Sequence, residues 1–215
     1  MFFYSLPIQA LTRVNERDSL AVYQQWHIPF SRDDITLQMG LDSITAIQIE
    51  REDIPLMMQL AQTPKLQEPG SALFFPGMDM QRHDCIHLLL GRGLLIMDEA
   101  FSIGFTMGTS KKMTNTEHSL YAYLARYIYP DAYKFTQHEL AVLKDGIKLS
   151  FISNCMPLDQ FNFQEWLDEP LGKIREVVGL EPEFIEAYYA VEKRHYPHSV
   201  ASQRLLPEEQ KLMAF

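Results

Sequence analysis

The stretch Arg82-His83-Asp84-Cys85-Ile86-His87-Leu88-Leu89-Leu90-Gly91, followed by Asp98-Glu99, decides how this chain is read. Ile86, Leu88, Leu89 and Leu90 make a strongly apolar run that closes on Gly91 and Gly93, the residue type that ends helices. On a helix, His83 and His87 stand four apart and project from one face. Asp84 lies three before His87 and leans towards the same point from the flank. Glu99 follows His87 by twelve residues, so a turn at Gly91 to Gly93 folds a second helix back and presents Glu99 to the pair. Polar groups beside so apolar a run need partners, and a metal ion satisfies several at once.

Working outward, most of the chain reads as helices. Asp79 is a candidate N-cap for the first helix, which runs to about Leu90; the second starts near Leu94 and continues towards Met107. Leu120, Leu124 and Ile128 form one stripe between Glu117 and Ile128, closed by Pro130. Thr136 and Glu139 form a capping-box pattern ahead of Leu140, Leu143, Ile147 and Phe151. Leu171, Ile174 and Val178 repeat the periodicity before Gly179, and Pro182 opens a helix through Phe184, Tyr188 and Val191. Towards the N-terminus, Asp18 to Trp26 suits a helix, whereas Ile35, Leu37, Met39 and Leu41 alternate like a short strand. Pro64, Pro69-Gly70 and Pro76-Gly77 punctuate a connection that Leu73, Phe74 and Phe75 mark as ordered. The pattern predicts an all-α fold, one helical domain over residues 1–215, with a metal site between two helices.

Composition narrows the function. At 215 residues, with 47% hydrophobic and 22% charged residues, the chain is an ordinary globular protein able to bury a core. Lys plus Arg number 19 against 28 Asp plus Glu, a formal charge of -9, which argues against nucleic acid and against a polybasic grip on anionic lipid. Cys85 and Cys155 make no framework, so a reducing compartment is expected. Neither a secretory signal nor a spanning segment is read from the sequence, giving a soluble or peripheral protein.

The chemistry rests on His83, Asp84, His87 and Glu99. Two imidazoles with carboxylates suit Zn²⁺, Fe²⁺ or Mn²⁺, while carboxylates alone would lean towards Mg²⁺. The plainer alternative is a surface His83 with Asp84 as its salt-bridge neighbour. A zinc peptidase would have Glu where Asp84 stands, so that class is set aside. A metal-dependent hydrolase needs a carboxylate near the metal that is not a ligand, and Asp98 is the only adjacent candidate. The 13 Phe, 10 Tyr and 11 Met serve as core fillers or as the lining of a lipid tunnel. Tyr121, Tyr123, Tyr127, Tyr129 and Tyr133 suggest an aromatic wall, and Tyr188 and Tyr189 mark either an exposed apolar patch or packed core. Cys85 is read as packing and Lys111-Lys112 as solvated, while His118 and His138, each next to a glutamate (Glu117 and Glu139), point away from that neighbour on a helix and make no site with it. No catalytic side chain is assigned.

The element His83-Asp84-x-x-His87, eleven residues, then Glu99 resembles the signature of the coenzyme Q (ubiquinone) biosynthesis protein 4 family. The run Phe163-Gln164-Glu165-Trp166-Leu167-Asp168-Glu169-Pro170-Leu171-Gly172-Lys173-Ile174-Arg175 and the pair Gly179-Leu180 are similar to its downstream pattern, so the likeness spans roughly residues 70 to 180. It implies an all-helical protein in which His83, Asp84, His87 and Glu99 hold a divalent metal, usually zinc. It further implies a hydrophobic pocket for a prenylated lipid and a role in ubiquinone or related isoprenoid quinone biosynthesis. Two activities are implied: decarboxylation with oxidation of the aromatic head group, or scaffolding of other quinone biosynthesis proteins around a lipid intermediate. The N-terminus lacks the Arg-rich, amphipathic character of a mitochondrial presequence, so a cytoplasmic protein peripheral to the inner membrane is expected. Homodimerisation is a further option.

Overall fold

The computed structural model describes residues 25–47, 80–110, 115–128 and 134–206, and among these it contains eight α-helices and no strand. The all-α expectation holds. Of the positions read as a short strand, Leu37, Met39 and Leu41 belong instead to helix α1, Leu37–Thr45, and Ile35 lies in the bend before it. Thr36 caps it, its Oγ1 accepting the Met39 N–H at 3.2 Å. Leu37 and Leu41 are buried one helical turn apart while Met39 is 59% exposed, so a helical i, i+4 pair had mimicked alternation. Only Thr36 keeps an extended contact, an isolated antiparallel bridge to Pro170.

The next two helices form the predicted hairpin, α2 over Met80–Leu90 and α3 over Ile96–Thr109. Gly91 ends α2 with φ of 59°, and a Cβ there would lie 2.5 Å from the Phe30 backbone. Glycine is therefore required twice over, by conformation and by space. The carbonyls at the end of a helix lack intrahelical partners, and here other segments supply them. Arg175 donates to Leu88 O at 3.2 Å and Leu89 O at 2.8 Å; Tyr189 Oη donates to Leu90 O; His27 Nε2 donates to Gly91 O at 3.0 Å. The end of α2 is thus held from three distant parts of the chain.

Helix α4 spans Asn115–Tyr127 and α5 spans Gln137–Ile152, the latter capped by Thr136 and Glu139 as the pattern predicts. The expected stripes hold at Leu124, Leu140, Leu143 and Ile147, which are buried or pack against the core, while the buried face of α5 also takes in Gly146 and Ser150. On α4 the buried residues are Tyr121 and Ala125, and Ile128 is exposed; on α5, Val142, Leu143, Gly146 and Ser150 are buried and Phe151 is 79% exposed. The reason lies in the seam with α3. A Cβ at Gly104 would lie 2.2 Å from Leu143 O, one at Gly108 2.3 Å from Ile147 O, and one at Gly146 2.9 Å from Phe101 O. α3 and α5 meet backbone to backbone, which only small residues allow.

Two 3₁₀ turns, Leu158–Gln160 and Phe163–Trp166, lead to α6 at Leu171–Val177. Gly179, with φ of 73°, ends that segment, and Pro182 opens α7 over Pro182–His195, both as expected. The short α8, Val200–Gln203, closes the described chain. One buried apolar cluster runs from Phe30 through α2 and α3 to Leu205. No helix of the described residues is long and apolar enough to cross a membrane. Asp18, Pro64 to Phe75, Asp79, Lys111-Lys112, Tyr129, Pro130 and Tyr133 lie outside the described residues.

Candidate metal centre

His83 and His87 occupy successive turns of α2, and Glu99 stands in the first turn of α3. The Gly91-to-Leu95 turn brings them together as the spacing predicts. His83 Nε2 lies 2.8 Å from Glu99 Oε2 and 3.0 Å from His87 Nε2, and His87 Nε2 lies 3.5 Å from Glu99 Oε1. One carboxylate thus spans two imidazoles, and the three ligand atoms all lie within 4.8 Å of one another. Bonds of about 2.0–2.1 Å to a tetrahedral zinc would set ligand atoms about 3.3–3.4 Å apart. The observed separations, 2.8 to 3.5 Å, bracket that spacing. The residues fit a divalent ion, and their N, N, O donor set suits borderline metals without naming one.

The orientation of His87 comes from the turn. Its Nδ1 donates to Gly93 O at 2.6 Å, with Ser102 Oγ 3.5 Å from the same nitrogen. This leaves Nε2 as the atom that takes up positive charge, whether proton or metal, an arrangement common to metal-binding histidines. Burial pulls the His87 pKa down, but the Glu99 carboxylate, aided by Asp84 and Asp98, raises it overall. Burial likewise pushes the Glu99 carboxyl up, and the two imidazoles hold it well below the usual carboxylate range. A field that favours a proton between these groups also favours a metal cation there.

Access is one-sided. The His87 side chain is fully buried and His83 nearly so, while Glu99 is 19% exposed. Along α3, Glu99 shares its stripe with Ile96 and Ile103, which are half-buried and packed against the core.

Asp84 is half-buried on α2 and falls outside the convergent group, although its charge reaches His87. Asp98, considered as a free carboxylate for a hydrolase, is fully buried and otherwise engaged. Its Oδ2 accepts the Leu95 N–H at 3.1 Å and the Arg204 guanidinium, so it caps α3 and stands outside the His83, His87 and Glu99 group. Cys85 is buried packing, as read. Of the tyrosine wall, Tyr121 is buried, while Tyr123 and Tyr127 face outward and contact each other at 5.1 Å between ring centroids. Tyr189 is fully buried and Tyr188 stacks on Phe101, so this pair is core and forms no surface patch. The Gly93 carbonyl, Ser102 and the buried Arg92 beside Gly93 escaped the sequence reading, because a backbone acceptor and lone polar residues carry no motif. No family model, curated protein or solved structure matches the chain.

Proposed function

We propose that the chain binds a divalent metal, zinc foremost, through His83, His87 and Glu99 with Asp84 alongside, and uses it to hold the head group of a prenylated aromatic acid in isoprenoid quinone biosynthesis. The observation that carries this reading is the convergence of three ligand atoms across the α2–α3 hairpin, at the spacing of the signature H-D-x-x-H-x11-E. Three converging ligands leave a position on a tetrahedral ion for Asp84, water or a bound molecule, which is the pattern of metal sites that do chemistry. The half-buried Ile96 and Ile103 on either side of Glu99 offer an apolar approach suited to a prenyl tail.

When bound, the ion would supply a Lewis acid for an acidic or phenolic oxygen and so favour loss of the ring carboxylate as CO2, a proton taking its place on the ring carbon. The chain's own residues do the positioning. Gly93 O orients His87, Glu99 fixes the distance between the helices, and the buried face of α2 excludes water from the imidazoles. The alternative is a binding scaffold in which the metal only joins α2 to α3 while lipid intermediates are passed between quinone biosynthesis proteins. The protein then acts in the cytoplasm at the inner-membrane surface, with homodimerisation an open property of the same reading.

Metal analysis and native mass spectrometry of wild type and His87→Ala, purified without added metal, test this. About one divalent ion per chain with a co-purified prenyl lipid, both lost in the variant, is the expected result. Metal without lipid leaves the structural-metal scaffold, and a folded wild type with neither ligand overturns the proposal.

A further inference from the structure

We propose, building on the metal-binding reading above, that Arg92 and Glu192 are positioning residues for the metal site, acting through the Gly93 carbonyl on His87. Glu192 lies on α7, 100 residues from Arg92, and touches no candidate ligand. The connection is made of contacts, each on named atoms. His87 Nδ1 is held by Gly93 O at 2.6 Å. Gly93 follows Arg92, whose backbone N–H donates to His87 O at 2.9 Å. The Arg92 side chain is fully buried and makes a two-pronged pair with Glu192, Nη1 to Oε1 at 2.9 Å and Nη2 to Oε2 at 2.6 Å. Its guanidinium also lies 3.9 Å from the Phe101 ring centre and 4.4 Å from that of Tyr189. Ser202 Oγ donates to Glu192 Oε1 at 2.9 Å, tying the acceptor to α8.

On the far side of Gly93 a second guanidinium closes in. A Cβ on Gly93 would lie 1.9 Å from Arg204 Nη2, the same nitrogen that bonds Asp98 in the residue before Glu99. The planar Arg92–Gly93 peptide fixes the Gly93 Cα relative to the Arg92 Cα. Arg204 Nη2, packed against that Cα, then limits how the Gly93 carbonyl that orients His87 can turn.

Stability alone does not account for such a pair. Burying two charges costs about what their attraction returns, so an apolar pair of similar volume would hold the fold as well. What a forked guanidinium–carboxylate pair adds is one fixed geometry. Partners behind metal-bound histidines characteristically act this way.

The test is cobalt(II) titration of the full-length, chelator-treated protein, followed by visible absorption, beside thermal unfolding in chelator. Paired replacement of Arg92→Met with Glu192→Leu is expected to leave the apo melting temperature near that of wild type. Cobalt affinity should fall about 10- to 100-fold and the d–d bands should change intensity. Arg92→Lys, which keeps the charge and loses the fork, should fall between. Ile185→Ala, a buried truncation on α7 away from this pair, should lower the melting temperature and leave affinity and spectrum unchanged. If the paired variant does not fold, Arg92→Lys and Glu192→Asp carry the same comparison. Wild type that binds cobalt while these variants match it in affinity and spectrum overturns the positioning role alone. Wild type that takes up no cobalt overturns the metal reading and this role with it.

Discussion

Two buried polar groups share the α2–α3 hairpin and are built to opposite plans. Around the turn, Arg92 and Arg204 meet Glu192 and Asp98, two cations against two anions, through the forked Arg92–Glu192 pair, the close Arg204–Asp98 pair and a longer 3.9 Å approach of Arg92 to Asp98. In the hairpin itself, His83, His87 and Glu99 aim three ligand atoms at one another and contribute no arginine or lysine to match the carboxylate. The first group neutralises itself with side chains drawn from α3, α7 and the segment after α8. The second is drawn from only two consecutive helices and reaches balance by taking up positive charge. Self-neutralising networks are what a fold uses for registration, whereas convergent lone pairs are what a ligand site presents.

The comparison breaks first at its carboxylates. Glu192→Ala leaves the Arg92 guanidinium buried without its counter-ion, and the expected loss is about 3–5 kcal/mol. Glu99→Ala in chelator leaves the His83 and His87 Nε2 atoms still within hydrogen-bond distance of each other, so its cost should be smaller, about 1–2 kcal/mol. Urea unfolding of both variants in chelator measures the difference. Equal losses, or the reverse order, would show that the two groups are not of different kinds.

A smaller effect sharpens the ligand side. At zinc concentrations 100-fold above the dissociation constant, wild type should gain about 2.7 kcal/mol of stability. His83→Ala, His87→Ala and Glu99→Ala should lose nearly all of that gain. Asp84→Asn should lose about half, near tenfold in affinity or 1.4 kcal/mol, because Asp84 stands outside the convergent group yet within reach of its field. Thermal shift with and without zinc distinguishes these; complete loss in Asp84→Asn would make it a full ligand, and no loss would remove it from the site.

The features legible in the sequence are those whose causes are local. The His83/His87/Glu99 constellation follows from helical spacing and a glycine turn. Thr136–Glu139, Gly179 and Pro182 mark helix ends because their backbone and capping chemistry needs only near neighbours. Where reading failed, the determinant was distant or carried no apolar volume. The α3–α5 seam is made by Gly104, Gly108 and Gly146, which hydrophobic periodicity does not register, so the stripe on α5 holds at Leu140, Leu143 and Ile147 but misses the buried Gly146 and Ser150 and ends on the exposed Phe151. Ile35 to Leu41 matched a strand period over a span too short to separate it from one helical turn. Asp98 stands out in sequence only as a carboxylate adjacent to the candidate ligand Glu99, and its cap to Leu95 and its Arg204 pair become visible only in the fold. Arg92 gave no signal, since what identifies it is a partner on a remote element, and Arg175 stood out only as the end of the run Phe163 to Arg175, with no hint of the α2 carbonyls it holds.

The smallest effect concerns a third way of closing a buried polar contact, with a neutral ring. His27 Nε2 donates to Gly91 O at 3.0 Å, and burial together with the Arg204 guanidinium pushes its pKa down to about 4. In the unfolded chain the same ring titrates near 6.5. Between these values the unfolded state binds the proton that the fold refuses, so stability falls as pH drops from about 6.5 and levels off near 4. The part-buried ring should contribute about 1–2 kcal/mol to that slope, less than the full shift implies at about 1.4 kcal/mol per unit. His27→Gln keeps an N–H for Gly91 O and removes the titration. Because every other titrating group is common to both proteins, subtracting the variant's pH–stability curve in chelator from that of wild type isolates His27. A difference that grows more unfavourable to wild type below pH 6.5 is expected. A flat difference would mean that the His27 ring accepts its proton in the fold, and that the end of α2 is held by charge there as it is at Arg175.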